Sequence, residues 1–373
     1  MKITIDATNI KAGGGLTHLK NLLDNYPSNK TVVTIIGGDW LSLINDTKAL
    51  KKLIFLNPFK NILYQEYFKR KTLPRILSEC DIAFIPGGTF SSSKTPYVSM
   101  SQNMLVFEKK ERNRFPISLN RFRYQILELL QVKSFKNSKG IIYISNYAKN
   151  FIENKYPYLK NKPSKVIYHG ISDEFRQVPK LQKEIAKYSI EKPLKITYIS
   201  IINYYKHQVN VIKAVKMLNK EGIPIILDLI GPIYEPMREK FERSLKGTES
   251  FITYKGKIPY EEISDCYKNT DIFLFASTCE NMPNILVEAM SSGQPIISSN
   301  YGPMPEILRD AGVYMNPTDV FSIYENLKKL IYDTELRTDI ANKAYEYSQE
   351  FSWEKASKET FEFLIEIAKQ NKL

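Results

Sequence analysis

The sequence is poor in cysteine, histidine and long apolar segments. It has 3 cysteines and 3 histidines in 373 residues. Cys80, Cys266 and Cys279 are too unevenly spaced for a disulfide framework, which favours a reducing, cytoplasmic compartment. The first residues, MKITIDATNI, turn polar too early for a secretory signal. No apolar run approaches the roughly 20 residues that cross a bilayer, so we expect a soluble or peripheral protein.

Two cofactor motifs are also missing. The sequence has no G-x-G-x-x-G fingerprint, and no acidic residue ends the second predicted strand as NAD binding requires. The histidines, His18, His169 and His207, are isolated, and no D-x-D pair is present to chelate a metal-bound diphosphate. The sequence therefore predicts a protein that requires neither a metal nor a dinucleotide.

The hydrophobic pattern predicts an α/β fold with two domains. A chain of 373 residues is too long for one ordinary core. Apolar runs typical of buried parallel strands alternate with helical stripes, and the pattern restarts after the polar stretch 171–193. We predict a doubly wound, Rossmann-like domain over 1–172, to which a C-terminal helix at 353–373 returns. A second Rossmann-like domain is predicted over 173–352.

Positive charge is concentrated in one segment of this basic chain. The net charge is +13, and residues 101–165 contain 14 Lys or Arg against 4 Asp or Glu. A basic segment with interleaved aromatic residues can be a solvated helix face, an anionic membrane surface or a nucleic-acid surface. No nucleic-acid-binding motif is present. We therefore predict no nucleic-acid partner, and we favour an anionic membrane surface over 101–165.

Two carboxylates stand in the apolar stretch CENMPNILVEAMSSGQPII, residues 279–297. The preceding run DIFLFAS reads as a buried parallel strand, so Glu280 follows its carboxyl end, where open α/β sheets bind ligands. Proline and glycine bracket a predicted helix over about 283–292, whose N-terminus favours an anion such as phosphate. Glu280 and Glu288 could bind hydroxyls of one elongated ligand, or they could be ordinary helix glutamates.

This stretch resembles the E-x7-E signature of retaining nucleotide-sugar glycosyltransferases of family 4, the glycosyl transferases group 1. The resemblance covers nearly the whole chain, through GGGLTHL, YISNYAK, YHGISDEF, YKHQ, LIGP, YKGKIPYEEI, SNYGPMPEIL and FSWEKA. It implies the GT-B fold, in which two Rossmann-like domains face each other across a cleft and the last helix crosses back. It is similar in particular to mannosyl- or rhamnosyltransferases of the O-antigen and capsule type.

The resemblance assigns roles to the two glutamates and the loop between them. The first glutamate of such enzymes lies beside the donor sugar and helps stabilise the transition state, and Glu280 matches it. The second binds the ribose, and Glu288 matches it. Many members have EGFG where this chain has ENMPN, so the sugar preference could differ. The loop is expected to offer backbone N–H groups to the sugar and the diphosphate through Asn281, Met282, Pro283 and Asn284.

The family resemblance also implies positively charged side chains that bind the donor diphosphate. Lys206, in NYYKHQ, matches the family lysine, whereas no arginine stands near Ser200, where the family arginine would fall. Lys255 or His207 is expected to add charge beside the helix N-terminus. The base is expected near Ile258 in KGKIPY, and the sequence does not choose between guanine and uracil.

The first domain offers further donor contacts. Backbone N–H groups of Gly14 and Gly15 could meet the donor phosphate, or these glycines could simply begin a helix. Asn103 occupies the place of a family histidine near the donor, and an amide cannot act as a base. His18 could lie in the core or face the cleft. His169 lies where the chain crosses between the predicted domains, so we expect it to serve as a hinge or a backbone contact and not in catalysis.

These features predict a retaining, metal-independent hexosyltransferase. The donor would be GDP- or UDP-linked, with GDP-mannose one candidate, and the acceptor a growing glycan or a lipid-linked oligosaccharide. The enzyme would lie in the cytoplasm, peripheral at the inner face of the cell membrane. Two alternatives stay open: another GT-B sugar-nucleotide enzyme, such as an epimerase or a phosphorylase, and a non-catalytic glycan-binding protein.

Overall fold

The computed structural model describes residues 1–10, 13–26, 31–44, 50–54, 67–90, 95–117 and 119–371. The chain divides into two compact units. The first comprises Met1–Phe107, Ile117–Gly170 and Ser352–Leu373, and the second comprises Glu108–Pro116 and Ile171–Phe351. The sequence placed 108–116 with the first domain, whereas this short segment packs with the second unit.

The first unit is built on a seven-stranded parallel sheet. The strand order is β3-β2-β1-β4-β5-β6-β7, and every described neighbouring pair is parallel. Successive strands are added toward one side of the sheet up to β3 and toward the other side from β4 onward, so the switch point of this doubly wound sheet lies between β1 and β4. The strands are β1 (Lys2–Asp6), β2 (Val32–Gly37), β3 (Leu50–Ile54), β4 (Ile82–Ile85), β5 (Tyr97–Met100), β6 (Gly140–Tyr143) and β7 (Ser164–Val166).

Helices accompany this sheet, including the last helix of the chain. Its Ser357 hydroxyl donates to the Leu22 carbonyl at 2.7 Å and so fastens it to the first helix. The stretch NILYQEYFKRKTLPRILSE, residues 61–79, has an apolar stripe at helical spacing, which predicts a helix. Residues 61–66 lie outside the described part of the chain, and the described part forms a π-helical turn, Phe68–Thr72, and a short α-helix, Leu73–Leu77. The α-helices of this unit are Gly14–Asp24, Leu73–Leu77, Leu119–Asn137, Asn146–Lys155 and Trp353–Gln370.

The second unit is built on a six-stranded parallel sheet. Its order, β10-β9-β8-β11-β12-β13, repeats the arrangement of the first six strands of the first unit. The switch point lies between β8 and β11, which are hydrogen-bonded neighbours. The strands are β8 (Leu194–Ile199), β9 (Ile225–Ile230), β10 (Ile252–Gly256), β11 (Ile272–Phe275), β12 (Ile296–Ser299) and β13 (Val313–Met315).

The helices of the second unit alternate with its strands. Apolar stripes bury one face of the longer ones, as Val211, Val215 and Leu218 do in Gln208–Lys220. The predicted fold class, with two doubly wound parallel sheets, is confirmed. No helix in the described part of the chain is both long and apolar enough to cross a membrane. The α-helices are Lys109–Arg112, Gln208–Lys220, Arg238–Leu245, Ile263–Lys268, Asn284–Ser291, Met304–Leu308, Val320–Tyr332 and Thr334–Ser348.

Candidate active site at the carboxyl edge of the second sheet

Two loops meet where the strand order of the second sheet reverses. The loop after β8 leads to a 3-10 turn, Tyr204–Lys206, and the loop after β11 leads to Glu280. The Thr278 N–H donates to the Tyr205 carbonyl at 2.8 Å and joins the two loops. Both loops leave the carboxyl ends of adjacent strands, which is the edge where open α/β sheets bind ligands.

Lys206 and Glu280 form an ion pair at this edge. The ammonium contacts Glu280 Oε1, and the two side chains are 6% and 16% exposed. The Ser277 hydroxyl donates to the same carboxylate oxygen at 2.6 Å. The ring of Phe275 lies 4.9 Å from the ammonium. No donor among the described residues reaches Glu280 Oε2, so this oxygen can accept a hydrogen bond from a ligand hydroxyl.

Glu288 lies in the helix Asn284–Ser291, which we call the motif helix, and it faces inward. Its side chain is buried, and it accepts hydrogen bonds from the hydroxyls of Tyr267 at 3.1 Å and Tyr260 at 3.4 Å. Burial raises the pKa of Glu288 to about 7, although the two tyrosine hydrogen bonds act in the opposite direction. Glu288 is therefore no solvent-facing helix glutamate, and it is partly protonated near neutral pH.

The motif helix begins at the same edge. It starts at Asn284, one residue after the predicted start, and Asn281 and Met282 before it are buried. The Pro283 carbonyl accepts from the Leu286 N–H at 2.9 Å. Proline has no side-chain acceptor, so its side chain does not cap the first helical turn. The positive end of the helix dipole therefore points toward the edge that carries Glu280.

The residues predicted to bind the nucleotide through the loop KGKIPY lie at β10, two strands from β8 in the sheet. Lys255, in β10, donates to the buried carboxylate of Asp228 at 2.7 Å, so a neighbouring carboxylate already compensates its charge. Ile258 is half-buried in the loop after β10. That loop continues to Tyr260, whose hydroxyl reaches Glu288. The loop and Glu288 therefore adjoin one another.

The segment 108–116 also reaches this edge, which the sequence did not indicate. The Thr278 hydroxyl donates to the Glu111 carboxylate, and Arg114 Nε donates to Glu111 Oε2 at 2.6 Å. The ring of Phe115 packs edge-on against Tyr204, with 5.2 Å between ring centroids. Because Glu111 and Thr278 are 167 residues apart, no local pattern could have paired them.

His207 makes no cationic contribution at neutral pH. Burial lowers its pKa to about 4, and the positive charges of Arg114 and Lys240 act in the same direction. Its Nε2 lies 3.0 Å from the Thr278 hydroxyl. The positive charge expected from His207 is thus absent at neutral pH.

The first unit contains four of the residues considered from the sequence: Gly14 and Gly15 at the start of its first helix, Asn103 at a 3-10 turn, and His18 in its core. Gly14 opens the first helix, and a Cβ added there would meet nothing within 4 Å, whereas one on Gly15 would lie 3.3 Å from Gln102 Oε1. Asn103 Oδ1 accepts from the Leu105 N–H at 3.0 Å and caps a 3-10 turn. His18 is a core residue, since it is 2% exposed and its ring packs against that of His169, tilted by 30° with the centroids 4.5 Å apart.

The chain is similar to glycosyltransferases in part of its sequence and in its fold. Residues 181–347 match the family model described as glycosyl transferases group 1. The O-antigen chain mannosyltransferase B of Escherichia coli is 24% identical over 246 residues, which are 64% of this chain and 63% of that protein. The chain spans between 24% and 63% of the length of the first curated relatives it matches.

Solved structures extend the similarity to the whole fold. Sucrose-phosphate synthase from Thermosynechococcus elongatus superposes with a TM-score of 0.74 at 13% identity, over 98% of this chain and 99% of that one. Anabaena HepE in complex with UDP-glucose gives a TM-score of 0.73 at 18% identity, over 98% of this chain and 100% of that one. The fold is that of the GT-B glycosyltransferases.

In the described part of the chain, no three His, Cys, Asp or Glu side chains gather as metal ligands would.

Proposed function

We propose that the protein transfers a hexose from a nucleoside-diphosphate sugar with retention of anomeric configuration. The observation that carries this proposal is the grouping at one sheet edge of a largely buried ion pair, a buried carboxyl and a helix N-terminus. Lys206 and Glu280 form the pair, and Glu288 is the carboxyl. The group 1 family match over 181–347 and the GT-B fold support the same reaction class.

The donor would lie along this edge in one direction. Glu280 would accept hydrogen bonds from sugar hydroxyls, and Lys206 with the N–H groups at the start of the motif helix would bind the diphosphate. Glu288 would accept from the ribose hydroxyls, with the base near Ile258. The base is guanine or uracil in this proposal. HepE, which shares the fold, was crystallised with UDP-glucose, which supports uracil.

The first unit contributes donor contacts in the same proposal. Backbone N–H groups of Gly14 and Gly15 would meet the phosphate, and the amide of Asn103 would meet the sugar. The open space at Gly14 is consistent with a close approach of a ligand to the backbone. The acceptor would be a growing, lipid-linked glycan, by analogy with the O-antigen mannosyltransferase.

Charge development explains the arrangement of the site. Departure of the nucleoside diphosphate leaves an oxocarbenium-like sugar and a more negative phosphate. The Glu280 carboxylate stabilises the first, and Lys206 with the helix dipole stabilises the second. The acceptor hydroxyl then attacks from the face that the phosphate leaves, and the phosphate takes its proton. No enzyme base is required for this step.

Ligand-induced stabilisation tests the donor assignment. We expect GDP or UDP to raise the melting temperature of the protein by about 5 °C or more at 100 times its Kd, and ADP to have little effect. The Glu288→Ala variant should lose most of this shift because the ribose contact is gone. Glu239→Ala changes a carboxylate that is 85% exposed and pairs on its own helix, so it should respond like the wild type. Equal shifts in all three proteins, or no shift with any nucleotide, would overturn the assignment.

A further inference from the structure

One face of the helix Leu119–Asn137, which we call the basic helix, is fastened to the first unit. The Tyr97 hydroxyl donates to the Ser134 carbonyl at 2.7 Å. The ring of Phe135 stacks on Phe107 with centroids 6.1 Å apart. Glu128 accepts from the Tyr156 hydroxyl at 2.7 Å. These anchors at 128, 134 and 135 fix which side of the helix faces the unit.

The opposite side of the basic helix exposes large apolar side chains. Phe122 is 61% exposed, Ile126 43%, Leu129 70% and Leu130 48%. Their spacing of four, seven and eight residues from Phe122 places them on one helical face. Ile117, two residues before the helix, is 94% exposed. Single exposed apolar side chains are common on protein surfaces, whereas a contiguous group of large ones marks an interaction surface.

Positive charge borders the apolar face. The basic helix has four Lys or Arg and one acidic residue. The acidic residue is Glu128, which is buried and paired with Lys155. Arg123, Lys133 and Lys136 are exposed. The face therefore combines an apolar centre with Lys133 at its C-terminal end and Arg123 and Lys136 at its sides, and contains no exposed acidic side chain of this helix.

We propose that the basic helix lies on an anionic lipid bilayer with Phe122, Ile126, Leu129 and Leu130 inserted among the lipids. A helix with an apolar face and basic borders binds the interface by burying apolar area and by attraction to anionic headgroups. A second copy of the chain fits less well, because a symmetric contact through this face would oppose its basic residues to one another. This inference rests on the proposed function in one respect, since it brings the enzyme to a lipid-linked acceptor.

Sedimentation with vesicles tests this surface. Wild-type protein should sediment with phosphatidylcholine vesicles that contain phosphatidylglycerol, less so at high salt, and hardly with phosphatidylcholine alone. The Leu129→Glu variant should lower the vesicle partition coefficient by about tenfold, because it places a charge in the apolar face. Leu181→Glu alters a leucine that is 90% exposed in the second unit, so it should bind like the wild type.

Three results would overturn the inference. The wild-type protein could fail to sediment with anionic vesicles, or Leu129→Glu could bind them as well as the wild type. Light scattering could also show that the wild type is a dimer and that Leu129→Glu is a monomer. The apolar face of the basic helix would then bind a second copy of the chain. The nucleotide-induced melting shift, measured on the same samples, separates the two proposals. A wild-type protein that gains stability from a nucleotide but ignores vesicles loses only the membrane surface.

Discussion

At the scale of single residues, the pairing of Lys206 with Glu280 determines how the site is prepared for a donor. A buried carboxylate without a partner would cost several kcal/mol of folding free energy, and the ammonium offsets that cost before any ligand arrives. An incoming diphosphate would compete for Lys206 and leave the Glu280 carboxylate facing the sugar. In the proposed reaction, the pair would link phosphate binding to the charge that the sugar experiences.

The sequence identified the residues of this site better than their partners. Glu280, Glu288 and Lys206 could be named from a motif and from their places after predicted strands. The tyrosines that hold Glu288 could not, because Tyr260 and Tyr267 lie 28 and 21 residues away and meet it only in the folded unit. The neutral state of His207 likewise depends on burial and on Arg114, which no local pattern reveals.

The raised pKa of Glu288 predicts a pH-dependent stability. The pKa is about 7 in the folded protein against an ordinary 4.5, so the folded state holds the proton more tightly. The stability contribution of this carboxyl is therefore full below about pH 4.5 and is lost as the pH rises through 7. Glu288→Gln removes this titration, and its stability relative to the wild type should grow by roughly 2–3 kcal/mol between pH 5 and pH 8.

Urea unfolding at several pH values from 5 to 8 measures this difference. The Glu239→Gln variant serves as the control, since that carboxylate is exposed and should leave the pH dependence unchanged. Parallel pH profiles of Glu288→Gln and the wild type would contradict the buried, partly protonated state of Glu288.

At the scale of elements, the end of the motif helix is as constrained as its start. Gly293 follows the helix with a φ of 63°, and a Cβ there would lie 2.7 Å from the Pro179 backbone. We expect Gly293→Ala to lower the free energy of unfolding by at least about 3 kcal/mol, through backbone strain and overpacking together. The substitution would also shift the helix that carries Glu288.

Gly222 provides the matched control for this prediction. It has a φ of 76°, but a Cβ there would meet nothing within 4 Å. Gly222→Ala should therefore show the strain alone, which costs about 1 kcal/mol. Denaturant unfolding of both variants gives the comparison, and equal losses would show that the contact with Pro179 does not constrain the helix.

Long elements were predictable and short ones were not. The motif helix and the strands beside it follow from apolar runs bounded by proline and glycine. The helix Met304–Leu308 has only five residues and includes a proline, so it shows no measurable helical period. The helix Asn146–Lys155 was not predicted either, although Ser145 caps it by accepting from the Ala148 N–H at 3.1 Å.

At the scale of the whole molecule, two similar sheets follow from one repeated pattern of strands and helices. Apolar runs separated by helices favour parallel sheets buried on both faces, and the two units share the same order over their first six strands. The packing of 108–116 with the second unit could not be predicted, because it depends on contacts such as Glu111 with Thr278.

In the proposed reaction, Glu280 stabilises a sugar transition state at this sheet edge. The most direct test measures release of nucleoside diphosphate from the sugar nucleotide that stabilises the protein, with the wild type and Glu280→Gln compared. We predict that Glu280→Gln lowers the release rate by about 100-fold or more, while the nucleotide still raises the melting temperature because Glu288 is intact. Release at the wild-type rate by Glu280→Gln would contradict a role of Glu280 in the transition state.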